Sequence, residues 1–257
     1  MKSPLVSLLI LLTAFYLTIT AILFFTQSYF IFYPREISVN QHSFLKQFKS
    51  NEITLDHDGI SLHGWFIQNE TNPENPLIIY YSGNAEEVSM NLYNLDNIGD
   101  HSLLFMNYRG YGKSEGRPGQ DALFSDALFI FDHISKKYHI PPEKIILKGR
   151  SLGSAVAIHV AGQRKVKAVL LVTPFDNMVN VAKKHYPIFP IKHLLRHPFY
   201  SDRIANEITC PMLALIGKQD QIIPNERSLA LIEQWGGKSD HVIIKSVGHN
   251  TISHTSE

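Results

Sequence analysis

The sequence predicts an α/β fold, with a mostly parallel central sheet, helices on both faces and a small cap, preceded by one membrane-length helix. Three observations predict it. Six short apolar runs succeed one another with helical patterns between most of them, the alternation that builds a parallel sheet covered on both sides. A hairpin signature precedes those runs. Ahead of both lies an uninterrupted apolar stretch of bilayer length. At 257 residues, 44% hydrophobic and 18% charged, the composition is that of an ordinary globular chain, and the length suits one large domain.

The apolar stretch comes first. No Asp, Glu, Lys or Arg occurs between Lys2 and Arg35, and Pro4 to Phe25 is rich in Leu, Ile and Phe. About 20 such residues span a bilayer as a helix. A cleaved signal peptide has a shorter apolar region, about 7–15 residues, closed by a small-residue site. Here the run continues into Tyr29, Phe30, Ile31, Phe32 and Tyr33, an aromatic cluster suited to a membrane interface. The expectation is an uncleaved single-pass anchor over residues 1–33 and a catalytic domain over 34–257. Its orientation stays open, because Lys2 on one side faces Arg35 and Lys46 on the other.

From Arg35 onward the chain carries 23 basic and 23 acidic residues. That balance excludes the clustered excess of Lys and Arg that a nucleic-acid partner needs. A single cysteine, Cys210, excludes an intrachain disulfide and a multi-cysteine metal site.

The hairpin follows the anchor. Ile53 and Leu55, then Ile60, Leu62 and Trp65, alternate around Asp58-Gly59. The buried-strand runs are Pro76–Tyr81, Leu103–Met106, Lys144–Leu147, Val166–Val172, Met212–Ile216 and Val242–Ile244. Between the second and third, Leu123, Ala127, Ile130, Phe131 and Ile134 mark one helix face. Between the fourth and fifth, Phe175, Tyr186, Phe189, His193 and Tyr200 are expected to form the cap.

Two segments fit the pattern G-x-S-x-G: Gly149-Arg-Ser-Leu-Gly153 and Gly112-Lys-Ser-Glu-Gly116. Context separates them. Ser151 follows an apolar strand and precedes Leu152-Gly-Ser-Ala-Val-Ala-Ile-His159, which can start a helix at once. That is the strand–nucleophile–helix elbow. Ser114 is followed by Glu-Gly-Arg-Pro-Gly119, which breaks a helix, so it is expected in a loop. The same loop resembles the end of a phosphate-binding loop, but Asn107 stands where the first glycine belongs and no helix follows.

A serine hydroxyl is a weak nucleophile and needs a base within hydrogen-bond reach. On a strand–nucleophile–helix elbow the partners come in the order Ser, Asp or Glu, His, each after a later strand. Asp220 follows the fifth apolar run and His249 the sixth. Asp220 also suits a turn ahead of Pro224, and His249 is one of 13 histidines, so order and strand-end placement jointly carry the expectation. His254 is a fallback base.

Tyr80-Tyr-Ser-Gly-Asn-Ala85, Asn107-Tyr-Arg-Gly-Tyr-Gly-Lys-Ser-Glu-Gly-Arg-Pro118, Gly149-Arg-Ser-Leu-Gly-Ser154, Gly217-Lys-Gln-Asp220 and Gly248-His249 occur in one order. Together they resemble the membrane-anchored α/β-hydrolase domain-containing subfamily, with its serine-aminopeptidase-like and palmitoyl-protein thioesterase-like members, from about Phe32 onward. The resemblance implies the α/β-hydrolase fold and hydrolysis of acyl esters, thioesters or amides through an acyl-enzyme, without a cofactor. It also implies an oxyanion hole made by the backbone amides of Leu152 and Asn84. A lipid-like acyl substrate at a membrane is the leading expectation; an aminopeptidase-like amide hydrolase and an inactive membrane-tethered binding protein are the rivals. Tyr108, Arg109 and Tyr111 are expected to brace their loop.

Two departures bear on the site. Members usually read His-Gly-Asn-Ala where this chain has Ser82-Gly-Asn-Ala85, which is expected to loosen the loop positioning Asn84. Members also carry a final helix after the histidine, whereas eight residues follow His249; less support is expected for its loop.

Overall fold

A computed structural model of the chain describes residues 3–69, 71–72, 74–97 and 99–252. Helix α1 (Pro4–Ile31) opens at Ser3, whose side chain accepts from the Val6 amide at 3.3 Å, with Pro4 in the first turn, where its missing N–H costs nothing. Its 28 residues extend about 42 Å, more than a bilayer core of about 30 Å. Thr18, Thr20 and Thr26 donate their hydroxyls to carbonyls one turn back, so these polar groups are satisfied inside the helix. This is one N-terminal helix long and apolar enough to cross a membrane.

After a one-turn helix α2 (His42–Leu45) comes the hairpin β1 (Glu52–His57) and β2 (Ile60–Ile67). Asp58 and Gly59 both take positive φ, 55° and 75°, as a two-residue turn matched to the strand twist requires. The remaining strands are β3 (Leu77–Tyr81), β4 (Ser102–Met106), β5 (Ile145–Arg150), β6 (Ala168–Val172), β7 (Met212–Gly217) and β8 (Ser239–Ile244). They form one sheet in the order β1-β2-β4-β3-β5-β6-β7-β8. Among the described residues the β1–β2 and β2–β4 pairs are antiparallel and the other pairs parallel.

Helix α3 (Gln120–Lys137) links β4 to β5, and α4 (Leu152–Gln163) links β5 to β6. The α3 residues anticipated from periodicity, Leu123, Ala127, Ile130, Phe131 and Ile134, are all buried. Helix α4 is apolar nearly all round, with Ala155 to Ile158 and Val160 in the core. A helix without a polar face belongs inside a protein, and α4 packs against both the sheet and α3, where Phe124 stacks on His159 at 3.9 Å. Helix α7 (Asn225–Glu233) links β7 to β8.

The cap leaves the body between β6 and β7 as α5 (Met178–His185) and α6 (Ile191–Leu194). Two residues grouped with the cap from sequence behave otherwise. Phe175 is wholly buried in the main core, and Tyr200 stacks under the Arg203 guanidinium at 3.5 Å.

From Tyr16 onward α1 packs on this cap. Gln27 donates to the Leu194 carbonyl at 3.1 Å and accepts from the Arg196 amide at 2.7 Å. Tyr16 stacks on Phe189 at 5.5 Å and donates its hydroxyl to the Ile188 carbonyl at 3.0 Å. Phe32, just past the helix, is buried in the core against His197 and Phe199.

Candidate active site

Strand β3 lies between β4 and β5, so the chain runs outward to one side and then crosses to the other. Ligands of open α/β sheets bind at the carboxyl ends of the strands beside such a reversal. Four segments meet there: the loop after β3, the elbow after β5 and the loops after β7 and β8.

The elbow is built by close approach. Ser151 has φ 51° and ψ −117°, a conformation that costs about 1–3 kcal/mol in a non-glycine residue. Its amide donates to the Val172 carbonyl at 2.8 Å, and the Ser154 amide and hydroxyl both return to the Ser151 carbonyl. A Cβ on Gly149 would stand 2.4 Å from the Gly153 carbonyl oxygen, and one on Gly153 only 2.1 Å from that of Tyr81. Both glycines are therefore required because backbone occupies the side-chain space. Gly153→Ala must move β3 or α4 and is expected to cost at least about 1–3 kcal/mol; a thermal melt superimposable on the parent would contradict this.

Ser151, Asp220 and His249 come together. His249 Nε2 lies 2.9 Å from Ser151 Oγ, and His249 Nδ1 lies 2.7 Å from Asp220 Oδ2. The other Asp220 oxygen accepts the Ile222 and Ile223 amides at 2.9 and 2.8 Å. The three side chains are nearly buried, with Asp220 only 2% exposed.

The loops carrying Asp220 and His249 are joined. The Lys218 amide donates to Ile244 and the Gln219 amide to Val247. Val247 and Ile252 are buried with Val172 and Ile244 in a small cluster, and the Gly248 amide donates to the Thr251 hydroxyl. The histidine loop thus has its own apolar support, contrary to the loosening expected from the short segment after it. His254 lies outside the described residues.

The loop after β3 is pinned as well. Tyr108 donates to the Ser82 carbonyl at 3.0 Å, and Tyr111 to the Asn84 carbonyl at 2.6 Å. Burial pushes both phenols well above the ordinary tyrosine range, which keeps both hydroxyls as donors. The Tyr33 amide also reaches the Asn84 carbonyl, at 3.1 Å. Arg109 makes paired 2.6 Å bonds to Asp126 of α3. The three residues expected to brace their loop do so, and the two tyrosines hold the Asn84 segment despite Ser82. The Ser82 side chain is buried, and its hydroxyl has no partner among the described residues. Leu152 is the first residue of α4, whose opening amides have no partner within the helix.

Sequence reasoning missed Arg150 and Glu86. Arg150 Nη1 reaches Glu86 at 3.3 Å and Nη2 the His249 carbonyl at 3.3 Å. Glu86 also accepts from the Gly83 amide and from Tyr80. One ion pair thus ties the β3 loop to the histidine loop across the elbow. The available signal was a charged residue beside Ser151 in the motif.

Ser114 is elsewhere. Its hydroxyl accepts from the His63 amide at 2.8 Å and donates to the Asn107 carbonyl at 3.1 Å, so it staples a loop to β2. Burial raises the Cys210 thiol to about 11, which leaves it protonated and unreactive near neutral pH.

A family model described as Serine hydrolase matches residues 130–255. Uncharacterized protein Rv2307c of Mycobacterium tuberculosis is 32% identical over 224 residues, 86% of this chain and 79% of that protein. Lysophosphatidylserine lipase ABHD12 of Danio rerio is 32% identical over 176 residues, 58% of this chain and 44% of that protein. Among solved structures, an alpha-beta hydrolase from Vibrio vulnificus superimposes with a TM-score of 0.69 at 20% identity, covering 86% of this chain and 83% of that one. The chain belongs to the α/β-hydrolase domain-containing family of serine hydrolases.

Proposed function

We propose that the chain is a membrane-anchored serine hydrolase of acyl esters or thioesters. The observation that carries this reading is the unbroken line from Ser151 through His249 to Asp220, at 2.9 and 2.7 Å. Ser151 Oγ attacks the acyl carbonyl while His249 Nε2 takes its proton, and Asp220 orients the ring and stabilises its charge. The amides of Leu152 and Asn84 stabilise the oxyanion. His249 then returns the proton to the departing alcohol or thiol, leaving an acyl-Ser151 ester. Water, deprotonated by His249, attacks that ester and releases the acid and the free serine.

An aminopeptidase-like reaction would need a free carboxylate to hold the substrate's amine. Besides Asp220, two acidic side chains on loops that follow sheet strands are engaged: Glu86 by Arg150, Tyr80 and the Gly83 amide, and Asp176 by Arg227 and Asn180. Ester and thioester substrates fit this better. The relative named as a lipase gives a lipid ester as the first substrate class to try.

A fluorophosphonate probe is expected to label the wild-type chain at Ser151 and not Ser151→Ala. Absence of labelling would support an inactive scaffold instead. Matched acyl-ester, acyl-thioester and aminoacyl-amide panels then rank the bonds, and a preference for the amides would overturn the ester reading.

Residues 1–33 serve as the anchor and 34–257 as the hydrolase in this reading. The packing of Gln27 and Phe32 sets where the chain can be shortened. A chain starting at Ala21 is expected to become extractable by alkaline carbonate while staying folded. One starting at Arg35 loses Phe32 from the core, at about 3–5 kcal/mol, and is expected to melt roughly 10 °C lower. Retention of the Ala21 chain in carbonate-washed membranes would show that α1 is not the main anchor.

A further inference from the structure

Between the C-terminal half of α1 and the cap lies a cavity of about 310 Å³, at the small end of the ~300–1,000 Å³ typical of ligand sites. Its walls are almost wholly apolar, with Leu23, Phe24 and Phe30 from α1, Val181 and Ala182 from α5, and Ile222 from the turn after β7. Ile222 joins this wall to the turn that holds Asp220, because its amide donates to Asp220 Oδ1 and its carbonyl accepts from the His185 ring.

Helix arithmetic sets its depth. Tyr16, which bonds the cap at Ile188, lies about 18 Å along α1 from Pro4. If α1 enters the hydrocarbon near Pro4, a core of about 30 Å still encloses Tyr16. The cap turn it holds, with Ile188 exposed and Phe189 stacked on Tyr16, is then within the bilayer, while the α1 residues that line the cavity, Leu23 to Ile31, lie about 28–40 Å from Pro4, at the bilayer's edge. Cap chemistry agrees. From Asn177 to Ser201 there is no acidic residue, while Lys183, Lys184, Lys192 and Arg196 are all present and exposed. Apolar residues flanked by cations are the composition of an element seated at a lipid surface.

We propose that this cavity is the acyl-chain site of the enzyme: a single aliphatic chain of a membrane-borne ester enters between α1 and the cap, with its carbonyl at Ser151. The inference rests on the hydrolase reading and specifies its substrate as a lipid presented at the edge of the bilayer. The helix thereby forms one wall of the substrate site as well as the anchor.

The test uses the full chain in lipid nanodiscs. Each methylene that loses its apolar seat costs about 0.8 kcal/mol, roughly fourfold. Ala182→Trp, which fills the cavity, should lower the ratio of kcat/KM for dodecanoyl over butyryl p-nitrophenyl esters at least about tenfold. Phe24→Ala, which enlarges it from the α1 side, should move the preferred chain length upward. An independent arm uses Ser151→Ala and a dodecanoyl ester with a diazirine at the chain terminus. Its crosslinks should concentrate on Leu23–Ile31 and Met178–His185. Chain-length ratios unchanged in both variants, or crosslinks spread equally over the outer α1 residues Leu5–Leu12, would overturn the assignment. Concentrated crosslinks with no ester hydrolysis by the wild type would uphold the site while overturning the proposed reaction.

Discussion

Ser151→Ala is expected to reduce ester turnover by about four to six orders of magnitude, the range for removal of a serine nucleophile that works as a unit with its base. The structure makes the substitution mild for the fold. The elbow is held by backbone contacts, from the Ser151 amide to Val172 and from Ser154 to the Ser151 carbonyl, and alanine keeps them all. Thermal stability should therefore change little while activity collapses. Ser114→Ala should behave oppositely. It leaves the His63 amide and Asn107 carbonyl without their shared hydroxyl, at about 1–3 kcal/mol, and activity in the remaining folded protein should fall less than about tenfold. Steady-state hydrolysis together with a melt for each variant separates the two motifs. Comparable losses of turnover at both serines would overturn the choice of Ser151.

Asp220→Asn is expected to lower turnover by about 10⁴-fold, and the local hydrogen bonds say why. One oxygen of Asp220 accepts two amides, Ile222 and Ile223, while the other accepts from His249 Nδ1. An asparagine there must keep its oxygen toward the two amides, since an NH₂ group cannot accept from them. Its NH₂ then faces His249 Nδ1 and makes that nitrogen the acceptor. The proton moves to Nε2, which points at Ser151 Oγ, and the ring cannot take the serine proton in that tautomer. The loss should appear in kcat with little change in the melt, and fluorophosphonate labelling should slow in parallel. A variant retaining more than about a tenth of parental turnover would exclude this orienting role.

Much of the fold was legible because its signals are local. The six apolar runs coincide with β3 to β8, the Asp58-Gly59 turn joins β1 to β2, and the Leu123–Ile134 face is the buried face of α3. Period and turn chemistry depend on residues a few positions apart, so sequence carries them directly. Ser151, Asp220 and His249 were legible for a related reason. Each sits immediately after an apolar run, and parallel strands deliver all their carboxyl ends to one edge.

Residues far apart in sequence were beyond that reading. No periodicity links Gln27 to Leu194, Tyr111 to Asn84 or Arg150 to Glu86, yet these contacts join α1 to the cap and pin the loops around the elbow. The departure at Ser82 suggested a loose loop because motif comparison counts one side chain. The packed structure holds the loop through the carbonyls on either side of Gly83, and a backbone group leaves no mark in a motif. By itself, then, the sequence determined the strands, the elbow and the order of the candidate triad, since these depend on local pattern. Only the tertiary structure decided that a helix readable as a tether is also a wall, because its apolar residues acquire a partner only when a cap 172 residues away folds back against them.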